Sequence, residues 1–106
     1  DVYPDGRSML LLDGAVRGRW RNGGLEPEPM EPGRVYPLQI DLWSTIIIIN
    51  RGHRIRLDIS SSNSPRFEVN PNTGGPLAPG EPGQVAQNTI YLDRQHPSRV
   101  ILPVVK

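Results

Sequence analysis

The chain has 106 residues, 36% hydrophobic and 22% charged, with 12 basic against 11 acidic side chains and a formal net charge of +1. So even a balance supplies no global field for a polyanion or an anionic membrane surface, and neither nucleic acid nor membrane is an expected partner. The absence of cysteine removes disulfides, thiolate metal sites and a cysteine nucleophile together.

In chain order, the start "DVYPDGRS" has no basic stretch followed by an apolar one, so no targeting signal is legible. A cysteine-free chain suits cytosol and secretion alike, and the cytoplasm is the expected compartment. In "MLLLDGAVRGRWR" the Asp13-Gly14 dipeptide marks a turn or bulge. After it Val16, Gly18 and Trp20 alternate with Arg17, Arg19 and Arg21, which predicts a strand with Trp20 inward and the arginines outward. Residues 22–34, "NGGLEPEPMEPGR", have no period and read as a surface loop whose glutamates lie near the arginine row.

"VYPLQIDLW" restores period two: Leu38, Ile40 and Leu42 point inward, Gln39, Asp41 and Trp43 outward. A tryptophan on the polar phase is the anomaly of this segment. The four isoleucines of "STIIIIN" suit a connection buried on both faces, closed by the turn signal Asn50-Arg51-Gly52. "HRIRLDIS" then alternates, with Ile55, Leu57 and Ile59 inward against Arg54, Arg56 and Asp58.

Residues 60–87 are poor in apolar side chains and rich in turn formers, and a loop that long is usually functional or packed against something else. "NTIYLD" and "RVILPVVK" close the chain on either side of the turn-like "RQHPS", with Pro103 marking an edge or a bulge. Seven or so short strands with long loops predict an all-β class, a jelly-roll β-sandwich. Trp20, Leu38, Ile40, Leu42, Ile55, Leu57 and Ile59 are its expected core.

The chemistry-bearing residues are few. His53, His96 and several serines are present, but the Gly-x-Ser-x-Gly elbow that exposes a nucleophilic serine is not. His53, following a glycine at the mouth of a strand, reads as a structural turn residue. Asn70-x-Asn72-x-Gly74 lacks the carboxylates of a calcium loop, so neither a metal nor a cofactor is expected. The arginine rows read as solvated strand faces balanced by Asp41 and Asp58. Trp43 and Tyr91 leave open a stacking platform for a sugar ring, which would make the chain an independent carbohydrate-binding jelly-roll module.

Three stretches carry a more specific signal: "DVYPDGRSMLLLDGAVRGRWR"; "LQIDLWST" with "GHRIRLDISSSNSPRFEVNPNTG"; and "NTIYLDRQHPSRVILPVV". In this order they resemble the C-terminal non-catalytic β-domain of the X-Pro dipeptidyl-peptidase group of serine hydrolases, the group that includes cocaine esterase and glutaryl acylase. Asp93, where that pattern commonly has His, and the isoleucine run depart from it.

The resemblance implies a galactose-binding-like jelly roll attached to an upstream α/β-hydrolase domain that holds the Ser-Asp-His triad. No catalytic residue of that triad falls on this chain. It implies also that residues 1–106 form one partial sandwich, the second half of the β-domain, with bare strand edges that favour self-association. The expected face toward the hydrolase domain comprises Trp43, Ser62, Asn63, Pro65, Arg66, Phe67 and Asn72.

Overall fold

A computed structural model describes residues 1–75, 80 and 82–105. The chain divides into two compact units, Asp1–Val69 and Asn70–Lys106. Among the described residues, regular structure consists of one 3₁₀ turn, Gly18–Trp20, and three isolated antiparallel bridges, Val2 to Ser8, Val2 to Arg54 and Leu92 to Pro97.

The first unit is organised around its opening residues. Pro4, Asp5 and Gly6 turn the chain back on itself: Gly6 takes a φ of 90°, its amide donates to the Tyr3 carbonyl at 3.0 Å, and the Tyr3 amide donates to Arg7 at 2.8 Å. A side chain at that φ would be strained, so glycine suits the position. Val2 then exchanges both backbone hydrogen bonds with Arg54, at 2.8 and 2.9 Å, joining residues 52 positions apart in sequence. Val2, 9% exposed, is the buried hydrophobic residue of the described chain.

The strand expected across residues 16–21 is interrupted by the 3₁₀ turn. Arg21 is the physical reason: its guanidinium donates to the Gly18 carbonyl at 3.0 Å and to the Glu28 carbonyl at 2.6 Å, while its Nη2 lies 3.3 Å from the Glu28 carboxylate. The loop 22–34 is thereby folded back on the arginine row. Tyr36 completes this layer, with the Arg21 and Arg34 guanidinium groups over its ring and its hydroxyl accepting from the Glu31 amide at 3.0 Å.

Trp20, Leu38, Ile40, Ile55, Leu57 and Ile59 are exposed and Leu42 is half-buried, so the expected core is not assembled among the described residues. The accessible area is 9956 Å². A folded monomer of this mass would expose about 5,900 Å² and its unfolded chain about 17,000 Å². Segments that alternate apolar with polar residues carry an apolar face that needs a second packed layer to bury it.

In the second unit the Gln84 amide donates to the Pro71 carbonyl at 2.7 Å, and Asn72 donates from its side chain to the Gln84 carbonyl at 2.9 Å. Residues 76–79 and 81 of the expected 60–87 loop lie outside the described residues. The "DRQHPS" turn is closed by Asp93, whose carboxylate accepts from the Gln95 and His96 amides at 2.8 and 2.7 Å. The His96 ring lies 5.0 Å from that of Tyr91.

A candidate docking site

Three segments distant in sequence converge on Asp13. Gly14 permits the approach, because a Cβ there would stand 2.5 Å from the Asp41 carbonyl oxygen, a distance real side chains do not reach. Asp13 then fastens the third segment: its Oδ2 accepts from the Asn63 side chain at 3.2 Å, and its Oδ1 lies 3.1 Å from the Arg66 guanidinium. The 63–67 turn is closed by the Phe67 amide donating to the Asn63 carbonyl at 2.9 Å. Just before it, the Ser60 hydroxyl donates to the Ser62 carbonyl at 2.7 Å. Pro65 follows a cis bond from Ser64.

Trp43 closes the site on its far side. Its amide donates to Asp41 Oδ1 at 2.7 Å, a side-chain-capped turn that holds the residue at a φ of 66°. For a bulky residue this left-handed backbone costs about 1–2 kcal/mol, and the indole that results is 83% exposed. The Asp41 cap offsets part of that cost, and the exposed indole itself makes no ring contact or cation contact among the described residues.

Between the segments lies an open hollow of about 620 Å³, walled by Asp13 to Val16, Gln39 to Asp41, Trp43, Arg66 and Phe67. Arg66 neutralises Asp13. Asp41 has its Oδ1 on the Trp43 amide and no ion pair among the described residues; the partner expected for Asp58 is there, Arg56 at 2.9 Å, but none for Asp41. The wall is thus part apolar, part anionic, and open.

Of the residues expected on this face, Trp43, Arg66 and Phe67 line the hollow, Asn63 anchors it, and Ser62 and Pro65 belong to the same loop. Asn72 belongs to the second unit, where it sits at a φ of 58° and bonds Gln84. Asp13 is the organising residue that strand periodicity did not single out. Its only legible sign was the Asp-Gly turn signal.

His53 lies elsewhere, in a turn where its amide donates to the Asn50 carbonyl at 3.0 Å. Its Nδ1 stands 2.8 and 2.9 Å from the two Asp1 carboxylate oxygens, and its ring is 4.3 Å from that of Tyr3. Both side chains of the pair are nearly covered, at 10% and 6% exposed. The geometry holds the first residues of the chain against the Asn50-Gly52 turn. Among the described residues no group of three His, Asp or Glu side chains could hold a metal, and no helix is long and apolar enough to cross a membrane.

The family model described as the X-Pro dipeptidyl-peptidase C-terminal non-catalytic domain matches residues 1–101. Cocaine esterase from Rhodococcus sp. (strain MB1 Bresler) is 41% identical over 108 residues, an alignment that takes in the whole of this chain and 19% of the esterase. A Mycobacterium bovis protein named "Putative serine esterase Mb1866c" is 27% identical over 123 residues, again across the whole chain and 18% of that protein. The chain therefore spans about one fifth of the length of the curated relatives it matches. No solved structure matches it significantly.

Proposed function

The chain belongs to the X-Pro dipeptidyl-peptidase C-terminal non-catalytic domain family, and from that premise we propose that it serves a larger α/β-hydrolase as a scaffold. In this reading a catalytic domain of the same protein performs acyl transfer through a serine on a peptide, ester or amide. These residues pack against that domain and shape its cleft. Their fold in that setting is the galactose-binding-like jelly roll, completed by strands from outside residues 1–106.

One observation carries the reading: the apolar phases of the alternating segments, Leu38 and Ile40 in one and Ile55, Leu57 and Ile59 in the other, stand open in a chain that aligns with only a fifth of an esterase. Burying such faces is worth about 25 cal/mol per Å², a driving force that solvent leaves unused. The same open edges also favour pairing with a second copy when the chain is alone.

Three measurements test this. The chain alone hydrolyses no chromogenic ester, whereas the longer protein that contains it does; turnover by the chain alone would end the scaffold reading. Phe67→Ala and Trp43→Ala in the longer protein lower thermal stability and activity together; unchanged values in both would remove the packing face. Sedimentation of the chain alone shows concentration-dependent association, and a monomer at high concentration with full β-signal would remove self-pairing.

A further inference from the structure

We infer that the hollow beside Trp43 receives an arginine side chain from the rest of the longer protein, with the guanidinium lying on the indole face and donating to the Asp41 carboxylate. This rests on the packing proposed above and names the chemistry of the partner at that face.

The chain shows how it treats its own aromatic rings. Arg7 lies over Tyr3 at 4.7 Å, Arg21 and Arg34 over Tyr36 at 4.5 and 5.1 Å, and Arg66 over Phe67 at 5.6 Å. Three of the six aromatic side chains thus carry an arginine; among the described residues Trp20, Tyr91 and Trp43 do not, and of these only Trp43, whose indole is among the strongest rings for a cation, stands beside a carboxylate without an ion pair. It is instead the most exposed of these aromatics, turned outward by a left-handed backbone that Asp41 itself caps.

Charge points to the same occupant. The ionisable groups on the wall are Asp13, Asp41 and Arg66, a net charge of −1. Arg66 is committed to Asp13, so the uncompensated carboxylate is that of Asp41. An aromatic face beside an unpaired carboxylate matches a planar, forked cation better than an ammonium, because guanidinium can stack and donate at the same time. A neutral sugar would leave that carboxylate uncompensated once water is excluded. The relatives' additional length supplies the chain from which such a residue comes.

The test uses the longer protein carrying Asp41→Asn, Asp41→Lys or Phe67→Ala, with hydrogen exchange of the amides in 39–43 followed at low and high salt. Asparagine keeps an oxygen for the Trp43 amide, so the local turn survives the first variant. Asp41→Asn is expected to speed exchange roughly tenfold and to abolish its salt dependence, in line with the loss of one charge-assisted contact. Asp41→Lys speeds it further, and Phe67→Ala speeds it with the salt dependence kept. If both Asp41 variants exchange as the parent does while Phe67→Ala is faster, the arginine is overturned and the packing stands. If all three match the parent, the packing falls with it.

Discussion

Two places in the first unit are built from the same kinds of group and come out opposite. At Val2, Tyr3, His53 and Arg54, backbone partners are exchanged, the Asp1 carboxylate faces the His53 imidazole with both side chains nearly covered, and the Tyr3 ring packs against that imidazole. At Asp13, Asp41, Trp43 and Phe67, one carboxylate is paired, the other is not, and the largest ring faces solvent on a strained backbone. The contrast lies in what each place leaves unsatisfied within the unit. The first place is satisfied by residues of this chain; on the packing proposed above, the second is prepared by them and finished from outside.

The strongest way to break the contrast is at Trp43. Trp43→Ala should cost the longer protein about 3 kcal/mol of stability, as truncating a buried tryptophan does, and the chain alone about 0.5 kcal/mol or less. Trp43→Gly sharpens it further, because relief of the positive φ should stabilise the chain alone by about 1 kcal/mol while still harming the longer protein. Equal losses in both settings, read by chemical denaturation, would mean the indole is already packed within these residues.

His53→Ala is the reverse probe. Removing one partner of a nearly covered, charge-assisted contact should cost about 2 kcal/mol in both settings, seen as lost exchange protection at the Val2 and Arg54 amides. A loss confined to the longer protein would put His53 on the outer face instead. Arg66→Ala is a smaller perturbation, since its side chain is mostly solvent-exposed; about 0.5 kcal/mol is expected, with the mobility of 63–67 raised in relaxation measurements.

The smallest effect is a pH dependence in the second unit. The Asp93 carboxyl titrates below its ordinary value of 3.8, chiefly because the His96 amide donates to it and with help from the Gln95 amide. A depressed carboxyl stabilises the turn above the ordinary value, and that contribution fades as pH falls through the lower, folded one. Proton-detected titration should show the His96 and Gln95 amide shifts moving together at acid pH. Asp93→Asn should remove that titration while retaining an acceptor for both amides.

Much of this contrast was legible in the sequence, for identifiable reasons. Trp43 fell on the polar phase of "LQIDLW", which flagged it as outward, and the loop holding Asn63, Arg66 and Phe67 was flagged by length and turn residues. Asp13 was not, because a period-two pattern reports which face a residue takes and says nothing of a loop reaching back across 50 positions to bond it. The strand at 16–21 failed for a similar reason. Alternation there was real, but Arg21 finds carbonyls of its own chain at Gly18 and Glu28, and a side chain that bonds backbone competes with a ladder. The expected core residues follow from chemistry and phase, but in the structure they are exposed or half-buried, because a period-two pattern marks an apolar face and says nothing of what covers it.

The most direct measurement is hydrogen exchange of the same amides in two settings, the chain alone and the longer protein that contains it. Amides in 39–43 and 63–67 should gain protection in the longer protein, by an order of magnitude or more, while those of Val2 and Arg54 stay as they were. Equal protection of 39–43 and 63–67 in both settings would contradict the account, because nothing from outside would then be covering the hollow.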